Sequence, residues 1–91
     1  MSGYAYLLLC CDGSCYCGST NDLIRRLAEH RAGRVRYTRP RLPVLLVWYE
    51  QCPTLDQARQ RECSLKNGRT RRKKTDLMIR TFPRERLAPF A

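Results

Sequence analysis

The chain lacks a long apolar segment, and acidic residues are scarce in it. Its 91 residues include 8 aspartates and glutamates against 18 lysines and arginines, which gives a net charge of +10. No apolar run approaches the roughly 20 residues that a membrane-spanning helix needs. The first residues also lack the basic start and long apolar core of a signal peptide. We therefore expect an intracellular protein, cytoplasmic or nucleoid-associated, with no membrane partner.

The excess of basic charge indicates a polyanionic partner. Phosphates attract lysine and arginine through Coulomb energy and the release of condensed counterions, so DNA or RNA is the expected partner. A chain of this length forms one domain with a modest core. We predict a single domain over residues 1–91, with its core at about 3–80 and a basic C-terminal helix and tail over 69–91.

Paired C-x-x-C motifs are absent, although the chain has six cysteines. Cys10-Cys11 and Cys15-x-Cys17 fall in predicted strands, where adjacent side chains point to opposite faces of a sheet. This spacing favours buried, reduced thiols in an intracellular protein over a disulfide framework. Zinc ligation is the alternative that the cysteines leave open.

Residues 4–11 form an apolar run of strand length. Asp12-Gly13 is typical of a two-residue hairpin turn, and a return strand begins over residues 15–18. Gly18 closes that strand, where a missing side chain allows another group to approach closely. Residues 19–22 supply several helix N-caps, and the following helix is predicted to run to about Ala32, before Gly33.

The rest of the chain predicts one more strand and two more helices. Residues 34–43 form a basic loop, and the apolar run 44–49 predicts a central strand covered on both faces. Helices are predicted at about 55–67 and 71–80.

Four polar residues near the start of the chain form a candidate catalytic set. Tyr6 and Tyr16 lie in strands joined by one hairpin, so they are expected to be neighbours, although tyrosines in strands are commonly packing residues. Arg26 and His30 are four apart and share one side of a helix. Arg26 would neutralise a phosphate, and His30 would accept or relay a proton near neutral pH.

Glu62 falls within the apolar stripe of its predicted helix. A buried carboxylate needs a cationic partner, because removing its charge from water costs free energy. An ion pair with Lys66 or Arg59 is one interpretation. The other is a ligand for Mg²⁺ or Mn²⁺, since such hard cations are commonly held by one or two carboxylates with water and substrate phosphate.

Two basic stretches are predicted to bind nucleic acid. One is the loop after the first helix, where Tyr37 could stack on an exposed base, and the other begins the last helix. The predicted contacts are Arg34, Arg36, Tyr37, Arg39, Arg41, Lys66, Arg71, Arg72, Lys73 and Lys74.

The order and spacing of these residues resemble the GIY-YIG nuclease superfamily, especially its small, stand-alone members. Tyr4-Ala5-Tyr6 takes the place of the first motif and Tyr16-Cys17-Gly18 that of the second, and the segment Arg59–Lys66 resembles the one that bears the family's single metal-binding glutamate. The resemblance covers residues 3–80. Alanine, tyrosine and cysteine replace the usual residues of these motifs at packing positions.

The resemblance implies an α+β fold, with a three-stranded antiparallel sheet flanked by helices. It also implies an endonuclease that hydrolyses DNA with one divalent metal ion and no small-molecule cofactor. Glu62 would hold the metal, Arg26 would stabilise the transition state, and Tyr6 or Tyr16 with His30 would activate or orient the attacking water. The expected activity is a nuclease of low sequence selectivity in DNA repair or turnover.

Two other functions remain open at this point. A non-catalytic nucleic-acid-binding module on the same fold would carry the same positive charge. A zinc-stabilised adaptor for an acidic protein partner would use the cysteines instead.

Overall fold

The fold is a three-stranded sheet between two layers of helices, as the α+β prediction requires. A computed structural model describes residues 2–66 and 71–90, without the side chain of Arg71. Its elements are β1 (Gly3–Cys10), β2 (Cys15–Thr20), α1 (Leu23–Arg31), β3 (Val44–Cys52), α2 (Leu55–Lys66) and α3 (Arg71–Thr81). Two 3₁₀ helices, Arg39–Arg41 and Arg84–Phe90, complete the described elements.

β1 is the central strand, and it pairs antiparallel with both β2 and β3. The prediction that the strand at 44–49 is central was wrong, because β3 lies at an edge of the sheet and continues to Cys52. Its apolar character has another cause. Helices cover both faces of the sheet, and a bulge brings Val47 and Trp48 into the same core cluster, so an edge strand also becomes largely buried.

Alternating residues of β1 belong to two cores. Ala5 and Leu7 pack with Leu65 of α2 on one face, whereas Tyr6 and Leu8 pack with α1 on the other. All four β1 residues are fully buried. This alternation places α1 and α2 on opposite faces of the sheet, so that the strand between them can carry side chains toward either helix.

The hairpin between β1 and β2 is longer than predicted. The Cys10 amide donates to the Ser14 carbonyl, which leaves a loop of three residues, Cys11 to Gly13, instead of two. Gly13 has a φ of +85°. A left-handed third residue is typical of three-residue hairpins, and glycine adopts it without steric cost.

Helix α1 begins and ends close to its predicted limits. The Asp22 carboxylate accepts a hydrogen bond from the Arg25 amide and caps the helix, which ends at Arg31 with Ala32 as its C-cap, before Gly33. The basic loop that follows has local structure that the sequence did not predict. It contains a 3₁₀ helix, and its Val35 and Thr38 side chains are buried.

No helix within residues 2–66 or 71–90 combines the length and apolarity needed to span a bilayer. All six cysteines are free thiols, and Cys10 and Cys17 are buried in strands as predicted. Cys52 is also buried, in the part of β3 that was not predicted, whereas Cys11, predicted to lie in a strand, is exposed in the hairpin loop and Cys63 is exposed on α2.

Candidate active site

Tyr6 and His30 form a buried hydrogen bond between β1 and α1. The Tyr6 Oη lies 2.9 Å from His30 Nε2, and neither side chain is exposed to solvent. Gly18 on β2 makes room for the phenol, because a Cβ at this position would lie 2.5 Å from Tyr6 Cζ and Oη. The position of Tyr6, in the first sequence motif, therefore requires a glycine at position 18, in the second motif.

Thr38 extends this contact into the basic loop. The His30 Nδ1 lies 2.8 Å from Thr38 Oγ1, and that hydroxyl donates a longer bond of 3.5 Å to the Val35 carbonyl. A donating Thr38 hydroxyl is consistent with His30 Nδ1–H as donor and Nε2 as acceptor from Tyr6. Sequence reasoning missed the role of Thr38, for which the only signal was that Val35 and Thr38, three residues apart, interrupt the arginines of the loop.

Burial keeps both members of the pair uncharged near neutral pH. It lowers the pKa of His30 to about 4, and the positive charge of Arg26 acts in the same direction. It also raises the pKa of Tyr6 well above its ordinary value. With its pKa lowered, His30 has little affinity for a proton near neutral pH, and its role in accepting or relaying a proton stays a prediction from the sequence. It accepts a hydrogen bond as a neutral imidazole.

Tyr16 lies between the Tyr6–His30 pair and the protein surface. Its ring centroid lies 5.0 Å from that of His30 and 6.2 Å from that of Tyr6, and it is half-buried. On its other side it lies 5.6 Å from the Tyr37 ring in the basic loop. We refer to Tyr6, Tyr16, His30 and Thr38 as the tyrosine–histidine cluster. Within it, Tyr16 is the phenol that solvent reaches.

Arg26 lies at the edge of the tyrosine–histidine cluster. Its guanidinium is close enough to the Tyr6 and Tyr16 phenols to interact with both, and it forms an ion pair of 3.2 Å with Glu29 on the next turn of α1. One third of the Arg26 side chain is exposed. The sequence predicted that Arg26 lies near the tyrosines, but it did not predict the ion pair with Glu29. This ion pair holds the guanidinium in place and leaves it partly accessible.

Glu62 lies on α2, close to the edge strand β2. Its Oε1 accepts a hydrogen bond of 2.6 Å from the Ser19 hydroxyl, and its Oε2 accepts one of 2.5 Å from Lys66 Nζ. We refer to these three residues as the carboxylate site. The ion pair left open by the sequence is thus present with Lys66, whereas Arg59 lies 3.8 Å from Asp56 instead. Ser19 was not predicted.

The tyrosine–histidine cluster and the carboxylate site meet at β2. Tyr16 and Ser19 both belong to this strand, and the charge of Glu62 is near enough to contribute to the raised pKa of Tyr6. A phenol, a partly exposed guanidinium and a carboxylate therefore lie around the edge of the sheet that β2 forms.

The donors of the carboxylate site suit a hard divalent cation. Glu62 and Ser19 offer oxygen atoms only, and the carboxylate already holds one cation, the Lys66 ammonium. Within residues 2–66 and 71–90, no three histidine, cysteine or acidic side chains are grouped as metal ligands. Mg²⁺ does not need such a group, because it retains waters and is commonly held by one or two carboxylates together with substrate phosphate.

The predicted nucleic-acid contacts divide into exposed and structural residues. Tyr37 is 43% exposed, and the Arg41 guanidinium carbon lies 4.1 Å from its ring centroid. Arg41 also bonds the Asp12 carboxylate at 3.1 Å and the Tyr37 carbonyl at 2.6 Å, so it anchors the basic loop to the β1–β2 hairpin. Among the predicted contacts, the exposed basic residues are Arg34, Arg36, Arg39, Lys66, Arg72, Lys73 and Lys74. The Arg71 side chain lies outside the described structure.

Known proteins share this arrangement of sequence and fold. A family model described as the GIY-YIG catalytic domain matches residues 2–76. A UPF0213 protein of Bacillus pumilus is 47% identical over 77 residues, which cover 84% of this chain and 76% of that protein. A UPF0213 protein of Streptococcus pyogenes serotype M5 is 44% identical over 72 residues, 78% of each chain.

A solved structure agrees with the sequence comparisons. The solution NMR structure of a UPF0213 protein from Bacillus halodurans superposes with a TM-score of 0.56 at 36% identity, covering 93% of this chain and 92% of that one. GIY-YIG domains are in general endonucleases that act on nucleic acid with a divalent metal ion. The family resemblance noted in the sequence is confirmed, and this chain belongs to the GIY-YIG catalytic domain family.

Proposed function

We propose that this chain is a divalent-metal-dependent endonuclease that hydrolyses DNA phosphodiester bonds with little sequence selectivity, in DNA repair or turnover. The observation that supports this most strongly is the meeting of the tyrosine–histidine cluster and the carboxylate site at β2. Hydrolysis of a phosphodiester needs a positioned water, a cationic group at the phosphate and a site for a metal ion. These three requirements correspond to different side chains around one strand.

In this proposal Glu62 holds the metal ion, which when bound would neutralise developing negative charge and lower the pKa of water. Arg26 contacts the phosphate with its partly exposed guanidinium. Tyr16 contacts the attacking water, because it is the accessible phenol of the cluster. Tyr6 and His30 are enclosed and uncharged, so their proposed role is to position Tyr16 and the backbone of β2 rather than to exchange protons with solvent.

Exposed basic residues next to this edge would hold the nucleic acid. Arg34, Arg36 and Arg39 are exposed and flank Tyr37 in the sequence, and the Tyr37 ring contacts Tyr16. Such side chains bind phosphates without reading bases, which supports low sequence selectivity. On α3 the proposed contacts are Arg71, Arg72, Lys73 and Lys74. RNA remains a second substrate to be tested.

Cleavage of labelled duplex, single-stranded and branched DNA tests this proposal. Wild type is expected to give products with Mg²⁺ or Mn²⁺ and none with EDTA, and Glu62→Gln is expected to give none. Asp56→Asn is the matched control, because it removes an exposed carboxylate from the same helix. Equal cleavage by wild type and Glu62→Gln would show that the activity arises elsewhere.

A second candidate is a nucleic-acid-binding module without catalysis. It is favoured by one observation, the Lys66–Glu62 ion pair, which satisfies the carboxylate without a metal ion. This candidate predicts strongly salt-dependent DNA binding with no cleavage under any divalent metal. Metal-dependent products that disappear in Glu62→Gln would exclude it.

A further inference from the structure

We infer that the Lys66 ammonium occupies the Glu62 carboxylate in the free protein. A metal ion then binds Glu62 tightly only when a phosphate of the nucleic acid binds the ammonium in place of Glu62. This inference rests on the proposed function, and it adds an order to the binding events. It assigns to Lys66 two alternative partners, the Glu62 carboxylate in the free protein and a phosphate in the complex.

The two partners of the ion pair differ in how firmly they are held. The Glu62 side chain is 21% exposed, and the Ser19 hydroxyl fixes its Oε1 from β2. Its helix is anchored by Ala58 and Leu65, both fully buried. The Lys66 side chain is 46% exposed, and its ammonium lies at the end of a flexible aliphatic stem. Lys66 is therefore the partner that can move.

A metal ion and the Lys66 ammonium compete for the same carboxylate. Glu62 Oε2 is already bonded to Nζ, so a cation that approaches this oxygen must displace the ammonium or share the oxygen with it. Among the described residues, Glu62 does not belong to any group of three or more histidine, cysteine or acidic side chains that could hold a metal ion. Binding of a metal ion to the free protein is therefore expected to be weak.

Nucleic acid favours the replacement of the Lys66 ammonium by a metal ion in two ways. A phosphate supplies further oxygen ligands to the cation, and it offers the displaced ammonium a new anionic partner. Both effects favour the same state, so nucleic acid and metal ion each raise the affinity for the other by the same factor. Ser19 keeps the carboxylate in position while its cation is exchanged.

Helix α2 offers a matched control for the charge of Lys66. Arg59 carries the same charge, but its partner is Asp56, and that pair is highly exposed, with side chains 65% and 87% accessible. Arg59→Met removes one positive charge from the same helix without releasing Glu62. Lys66→Met removes the charge that occupies the carboxylate and retains most of the stem.

The test measures the binding of Mn²⁺ to purified protein from the electron paramagnetic resonance signal of the free ion. Circular dichroism checks that each variant is folded. Without DNA, Lys66→Met is expected to bind Mn²⁺ about fivefold more tightly than wild type, since a partly exposed ion pair contributes up to about this factor. Arg59→Met and the charge-conserving Lys66→Arg are expected to match wild type. Glu62→Gln is expected to lose the site.

The same titrations with a short DNA duplex test the coupling. DNA is expected to raise the Mn²⁺ affinity of wild type more than that of Lys66→Met, after subtraction of Mn²⁺ bound by DNA with Glu62→Gln. Equal affinities of Lys66→Met and Arg59→Met for Mn²⁺ would overturn the inference and leave cleavage through Glu62 intact. Failure of every variant to bind Mn²⁺ through Glu62 would overturn the inference and the proposed nuclease together.

Discussion

The two groups of polar residues at β2 differ in burial and charge. Tyr6, His30 and Thr38 are fully buried and uncharged near neutral pH, and among the described residues no buried side-chain polar atom lacks a partner. Glu62 and Lys66 are charged and remain partly exposed. Burial and full hydrogen bonding fix the first group in one arrangement. The second group can exchange its cation. The first group is therefore a preorganised part of the site, and the second is a part whose bound cation can be exchanged.

After the loss of Glu62, the largest effect is expected at Arg26, which lies at the edge of the tyrosine–histidine cluster. Arg26→Ala removes the guanidinium proposed to stabilise the phosphate, so single-turnover cleavage is expected to fall by about 10²–10³-fold. Arg25→Ala is the control, because Arg25 is exposed on the same helix and its side chain contacts Asn21. Similar losses in both variants would mean that Arg26 contributes only general positive charge.

The buried part predicts a pH dependence of folding stability. The folded protein has a His30 pKa of about 4, below the ordinary 6.5. Between these values the unfolded chain binds a proton that the folded protein does not, so stability increases with pH in this window. This contribution is complete above about pH 6.5 and is lost as the pH falls to about 4, by at most about 3 kcal/mol.

Urea unfolding of wild type and His30→Gln at several pH values measures this contribution. The stability of wild type is expected to fall more steeply than that of His30→Gln from pH 6.5 to 4. Other groups that titrate at lower pH, such as Asp12, are common to both proteins. Parallel profiles would show that His30 binds its proton as readily in the folded protein as in the unfolded chain.

The preorganised part was the easier one to predict from the sequence. The Tyr6 and Tyr16 positions follow from strand alternation and one hairpin, and Arg26 and His30 follow from helical spacing with Asp22 as the cap. These relations depend on residues close in the chain, where geometry is set by local periodicity. The three-stranded sheet itself came from the family resemblance.

Contacts between distant segments could not be predicted in the same way. Ser19 and Glu62 are 43 residues apart, and no periodicity relates them. The central position of β1 was missed because covered edge strands and covered central strands are both apolar. The burial of His30 depends on Thr38 and the loop that folds over it, so its lowered pKa could not be read from the helix alone.

A smaller effect is expected when the end of the buried hydrogen-bond chain is removed. Thr38→Val keeps the shape of the side chain but leaves His30 Nδ1 without its partner at 2.8 Å. An unsatisfied buried donor costs about 1–3 kcal/mol, so the unfolding free energy is expected to fall by an amount within this range. Thr38→Ser retains the hydroxyl and is expected to retain the hydrogen bond. A Thr38→Val variant as stable as wild type would show that water or another group replaces the threonine.

The smallest effect is expected at Tyr37, where the buried cluster reaches the basic surface. Its ring is 43% exposed beside Tyr16, so an unpaired base could stack on it next to the proposed site. Tyr37→Ala is expected to weaken binding of single-stranded DNA by about 1 kcal/mol, or about fivefold in Kd. Tyr37→Phe keeps the ring and is expected to bind as wild type does. Duplex DNA, whose bases are already stacked, is expected to show a smaller loss, as measured by fluorescence anisotropy at fixed salt. An equal loss for both substrates would indicate that Tyr37 supports the loop that carries the arginines instead of contacting a base.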